Sequence, residues 1–214
     1  MDRLRESVGC LFIGDIASGG SGQEDGAWAR DVPGVDVRIF HCAQPRGLWS
    51  ALQGALYEVW RERGEAAIMA VGTGCAGALA LACQLPVEKL VLIEPSLPGR
   101  AALTGTGGVD CARARQTQRT ARRLAAFARR NLPLCVSDIL AIECRRDDDG
   151  GKPRHIYGNP VNCRVRRLLL RGESAKELYT IREFEVKETI SRFLHPTEAP
   201  KPLAENSEMC IIYE

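Results

Sequence analysis

The residues best suited to chemistry are Val71-Gly72-Thr73-Gly74-Cys75-Ala76-Gly77-Ala78-Leu79-Ala80. An apolar run meets three glycines and then a helix-forming stretch, so the chain must turn sharply from a strand into a helix. Two chemistries use such a turn. In the first, Gly72, Gly74 and Gly77 satisfy G-x-G-x-x-G, and Glu94 at the end of the next strand is placed to take a ribose hydroxyl. The glycines would admit a pyrophosphate to the helix N-terminus, and the ligand is a dinucleotide. In the second, the turn is a nucleophile elbow, where small neighbours relieve crowding around an attacking side chain at a strained corner. Gly74 then stands where the serine belongs.

Other residues offer supporting roles. The histidines are His41, His155 and His195. His41 ends a strand, His155 lies in a loop from which it could swing toward Asp147, and His195 follows the last helix, where its C-terminal carbonyls are the expected partners. Asp147, Asp148 and Asp149 would serve as a catalytic acid or a cation site, or simply as a solvated turn before Gly150-Gly151. From Arg113 to Arg130 there are seven arginines and no acid. Arg119, Arg122 and Arg123 are candidates to cap a pocket and hold an anionic ligand, with a solvated helix face as the plain alternative. Aromatic residues suited to base stacking are missing there, so nucleic acid is the weaker partner.

These groups need a frame. Val8–Ile13, Val35–His41, Ala67–Val71, Leu90–Glu94, Ile139–Cys144 and Val165–Leu170 read as strands, several of them uninterrupted apolar runs. Gly47–Glu62 carries Leu48, Leu52, Leu56, Val59 and Trp60 on one helical face; Cys75–Gln84, about 112–130 and Ala175–Leu194 are further helices. Strands alternating with helices predict an α/β fold with a mostly parallel sheet covered on both faces. At 214 residues one domain suffices, over 1–200, with a lid-like helical insertion at 97–133 and a tail at 201–214 in which Cys210–Tyr213 could add an edge strand.

Nine cysteines without a C-x-x-C pair argue against a disulfide framework or zinc site and for reduced thiols in a cytoplasmic protein. The charged N-terminus and the lack of about eighteen consecutive apolar residues predict a soluble protein with no membrane partner. The net charge of +2 implies one local basic surface rather than a basic protein. No cofactor and no metal are expected; the partner is a small-molecule ligand or a protein, and homo-oligomerisation stays open.

The order of these pieces resembles the α/β hydrolase superfamily over residues 8–195. Leu11-Phe-Ile-Gly-Asp-Ile-Ala-Ser-Gly-Gly20 is similar to its early strand and oxyanion loop, Val37–Gly47 to the next strand and loop, and Val71–Ala80 to the elbow and its helix. Lys89–Pro95, Ile139–Asp147 and Arg166–Gly172 resemble the later strands, and the helix ending at Leu194 closes the pattern. About sixty-five residues with two strands and a helix precede the elbow, where a dinucleotide unit would open its domain. The resemblance implies an active-site corner at Asp15, Ile16, Gly74, Cys75, Ala76 and Asp147, with Asp15, Ile16, Gly74 and Ala76 lining the oxyanion pocket and Asp147 at the acid position. It also implies a histidine after the last strand, and Gly172-Glu-Ser-Ala-Lys-Glu177 has none.

A protein of this kind lacks the Ser-His-Asp triad and binds a ligand or partner without hydrolysis. Sliding the elbow register by one makes Cys75 the nucleophile of an esterase or thioesterase, its thiolate favoured by the helix N-terminus. The plain alternative for Cys75 is a small residue filling a tight turn.

Overall fold

The computed structural model describes residues 7–14, 26–40, 47–95, 109–131, 136–145, 163–171, 183–195 and 211–213. Six parallel strands form the sheet: β1 (Val8–Ile13), β2 (Val35–Phe40), β3 (Ala67–Val71), β4 (Val87–Ile93), β5 (Val136–Arg145) and β6 (Arg164–Arg171). A short β7 (Ile211–Tyr213) pairs antiparallel with β6, and the strand order is β2-β1-β3-β4-β5-β6-β7. Among the described residues four α-helices accompany it: α1 (Leu48–Arg63), α2 (Gly74–Ala82), α3 (Val109–Arg130) and α4 (Glu183–Leu194). The expected α/β architecture is the one observed.

Strand alternation divides the core in two. Leu11, Ile13, Ile68, Ala70, Leu90, Leu92, Ile139 and Ala141 face α1, α2 and α3. Their neighbours Phe12, Met69, Val91, Ile93, Leu140 and Ile142 face Val186, Ile190, Phe193 and Leu194 of α4. A strand covered on both sides must be apolar at every position, which is why β1, β3 and β4 read as unbroken hydrophobic runs.

In α1 the residues Leu48, Leu52, Leu56 and Val59 recur at helical spacing and are buried. Each contributes roughly 1.5–3 kcal/mol by leaving water. Its outer face holds the β2 edge through Arg38 to Glu58 and Glu62, and through Arg63 to Asp36. Helix α2 is buried along its whole length and built from glycine, alanine, leucine and one cysteine. It packs on β1, β3 and β4 and is itself covered by α1 and α3, so bulky side chains would hold it off the sheet.

The segment 97–133, expected as a lid-like insertion, contributes α3 to the described structure. Ala121, Leu124, Ala125 and Ala128 are buried in the core against α2, and the Cys83 Sγ lies 3.6 Å from the Ala128 carbonyl. The helix is the crossover that parallel neighbours such as β4 and β5 require. Its arginines hid that role, because among its described side chains the inward stripe is Ala121, Leu124, Ala125 and Ala128.

Candidate functional site

The strand order places a topological switch between β1 and β3: the chain leaves β1 for β2 on one side, whereas β4 and its successors lie on the other. In open α/β sheets the crevice at the carboxyl ends of such strands is where ligands bind. Ile13-Gly14 and Val71-Gly72 form its walls here.

The corner after β3 is built by backbone. Gly72 has φ of 57°, the left-handed region that a β-carbon disfavours, and its N–H donates to the Ile93 carbonyl at 2.9 Å. Thr73 returns to helical angles as the N-cap without a side-chain capping bond. The Cys75 and Ala76 amides then donate to the Gly72 and Thr73 carbonyls at 3.3 and 3.2 Å. The sharp bend therefore falls on Gly72, two residues before Gly74.

Gly74 serves a different purpose. A β-carbon there would lie 2.6 Å from the Ile13 carbonyl oxygen and closer still to that of Gly14. The first turn of α2 thus rests directly on the end of β1, an approach open only to glycine.

Cys75 is fully buried, and its Sγ donates to the Ala70 carbonyl at 3.3 Å, with the Ile93 carbonyl at 3.7 Å. The thiol points back into the sheet, its proton directed at acceptors. Ala76 is also buried. Gly72, Thr73, Gly74, Cys75 and Ala76 are all buried.

Glu94 follows β4 beside the corner, since its predecessor Ile93 receives the Gly72 amide. Its φ is 46°, uncommon for a residue with a side chain, and its N–H donates to the Ile142 carbonyl at 2.8 Å. No sequence signal announces this geometry, which belongs to the packing of β4 against β5. The glycines and Glu94 of the dinucleotide pattern do share one edge of the sheet. The strand before them is third in the chain, preceded by β1, β2 and α1.

Arg119, Arg122 and Arg123 are exposed, on the opposite side of α3 from its buried alanine stripe. His195 follows α4, its ring Nε2 2.7 Å from the Gly34 carbonyl just before β2, at the amino edge of the sheet. The structure therefore brings together Gly72, Gly74, Cys75, Ala76 and Glu94, and leaves His195 at the other edge. Asp15, Ile16, His41, Asp147 and His155 lie outside the described residues.

Sequence reasoning also passed over a row of charge at the amino edge. Lys89, Asp138 and Arg164 are register partners on β4, β5 and β6. The Lys89 Nζ donates to the Leu194 carbonyl at 2.9 Å beneath α4, and burial pushes its pKa down. Asp138 is ion-paired with Arg164, whose Nη2 donates to its Oδ2 at 3.1 Å.

Comparison with solved structures fixes the fold. The chain is similar to a structure from work on LipS and LipT, metagenome-derived lipolytic enzymes, at 15% identity and a TM-score of 0.55, over 86% of this chain and 94% of that one. It is similar also to the thioesterase domain SrfTE, which cyclises the lipopeptide antibiotic surfactin, at 14% identity and a TM-score of 0.55, over 93% and 95% of the two chains. This chain has the α/β hydrolase fold. No protein-family model matches its sequence, and no curated protein does.

The Gly72–Ala76 corner joins β3 to the buried helix α2. Among the described residues no helix is long and apolar enough to cross a membrane, and no group of three or more His, Cys, Asp or Glu is arranged to hold a metal ion.

Proposed function

We propose that this α/β hydrolase-fold protein binds a small ligand at the switch crevice without the Ser-His-Asp chemistry of an ordinary hydrolase. One observation carries the proposal: the two positions at the heart of the corner carry no side chain, with Gly72 at the bend and Gly74 pressed onto the carbonyls of β1. Gly72 leaves the main chain at the bend without a β-carbon, and an oxygen-bearing ligand there would meet the positive end of α2. It would meet no side-chain nucleophile from these two positions, so capture stays non-covalent. The lipolytic enzymes and the surfactin-cyclising thioesterase domain that share this fold suggest acyl compounds as the ligand class, with straight-chain carboxylates as the simplest representatives.

The test joins binding to turnover. Melting temperature is followed against a series of straight-chain carboxylates, and a chromogenic short-chain ester is offered to wild type and Cys75→Ala. A saturable rise in melting temperature with no ester turnover above background supports the proposal. Ester hydrolysis abolished by Cys75→Ala refutes it in favour of a thiol esterase or thioesterase. Nucleotide carried through purification would refute it in favour of the glycine-loop dinucleotide site.

A further inference from the structure

The opposite, amino edge of the sheet carries a groove of about 820 Å³ across the starts of β3, β4, β5 and β6, below the end of α1. Its apolar surface includes Val87 and Val136, with the half-exposed indole of Trp60 beside them. Trp60 leans on Tyr57, ring centroids 6.2 Å apart, so its orientation is supported.

The polar groups of the groove are unevenly charged. Glu65 and Glu88 both line the groove, and the Glu88 amide donates to the Ala66 carbonyl at 3.0 Å, which sets the two residues side by side. The C-terminus of α1 ends at the same place, adding the negative pole of a 16-residue helix. The one cation among the described lining residues, Arg164, is already engaged: it is ion-paired with Asp138, its Nη2 donating to Oδ2 at 3.1 Å. Arg63 of the last turn of α1 is held by Asp36. Lys89 adjoins Glu88 in the chain, but its ammonium turns to the other face and the Leu194 carbonyl.

We propose that this groove binds a small organic cation with an apolar body, its protonated amine between Glu65 and Glu88 and its body against Trp60, Val87 and Val136. Three features converge on that chemistry. Paired carboxyls accept the N–H bonds of an ammonium, the aromatic face attracts positive charge, and the valines take up the apolar portion. The site is independent of the elbow, which lies at the other end of the strands.

Glu88 supplies a signature that separates this site from adventitious apolar binding. Burial and the neighbouring Glu65 hold its carboxyl above the ordinary range, with Lys89 acting weakly in the opposite sense. A cation competes with the proton that this raised carboxyl holds, so its affinity rises with pH through that titration.

The experiment follows the indole N–H resonance of Trp60, assigned by its loss in Trp60→Phe, while benzylamine is titrated into the full chain. A saturable shift is expected, tighter at about pH 8 than at about pH 5, and absent with the neutral analogue benzyl alcohol. The double variant Glu65→Gln/Glu88→Gln should weaken binding about tenfold or more, whereas Glu58→Gln, on the far ion pair with Arg38, should leave it unchanged. Equal binding of benzyl alcohol, unchanged affinity in the double variant, or calcium shifting this resonance when benzylamine does not would each overturn the assignment. The carboxyls are exposed, and an unchanged circular dichroism spectrum shows that the double variant folds.

Discussion

Replacing Gly74 by alanine, or by the serine that would reinstate a nucleophile, is expected to destabilise the protein by about 2–3 kcal/mol and to create no esterase. The added β-carbon would lie 2.6 Å from the Ile13 carbonyl oxygen, against 3.4–4 Å for ordinary contact. Relief requires α2 and β1 to part by about 1 Å, enough to forfeit much of the dispersion attraction across the contact. Neither partner yields easily, because Ile13 is in register with Phe40 on one side and Ala70 on the other, and α2 is buried throughout. Urea denaturation reads the effect directly: with a slope near 2 kcal/mol per molar, the midpoint should fall by about 1–1.5 M. Gly54→Ala is the control. Gly54 lies in α1 with nothing within 4 Å of its would-be β-carbon, and that substitution should stabilise by about 0.5–1 kcal/mol. A Gly74→Ala protein as stable as wild type, or a Gly74→Ser protein that turns over esters, would refute the close-approach reasoning.

The buried thiols should resist modification: Cys10, pushed up to about 12 by burial, and Cys75, donating into the sheet, should react with a disulfide reagent only after unfolding. Stoichiometric labelling of Cys75 in the native protein, located by mass spectrometry, would contradict this. Ala121→Leu should cost about 1–3 kcal/mol because α3 is a core crossover, while Arg119→Ala should change stability by less than about 0.5 kcal/mol; thermal unfolding of the pair distinguishes a crossover from a detachable lid. Glu88→Gln should stabilise at neutral pH by about 0.5 kcal/mol. The sign follows from the raised carboxyl: the folded state holds the proton more tightly, so wild type loses stability as pH climbs from the unfolded value of 4.5 through the folded one. The gain in the variant should therefore vanish below 4.5, and a gain that persists in acid would count against the Glu65 contact.

Much of the frame was legible in the chain because local physics and final structure agree. The apolar runs at Val8, Ala67 and Leu90 are unbroken since both faces of the parallel sheet are covered, and the leucine spacing in α1 is the stripe that packs against it. Where the two disagree, a majority pattern concealed a minority one. The arginines of α3 advertise a solvated or ligand-binding helix, but four small or apolar residues on its inner face decide where it lies. The carboxyl pair at Glu65 and Glu88 was invisible for another reason: its members are 23 positions apart in sequence and meet only because β3 and β4 begin side by side.

The glycine turn shows the division most sharply. Sequence alone determined that a strand must bend into a helix between Val71 and Cys75, since only closely spaced glycines permit so abrupt a change of direction. It could not apportion the tasks among those glycines. Tertiary structure assigned the left-handed bend to Gly72, the close approach to β1 to Gly74, and the inward orientation to the Cys75 thiol. Each assignment depends on carbonyls of Ile13, Gly14, Ala70 and Ile93. Three strands deliver those atoms to the corner, and only the assembled sheet brings them together.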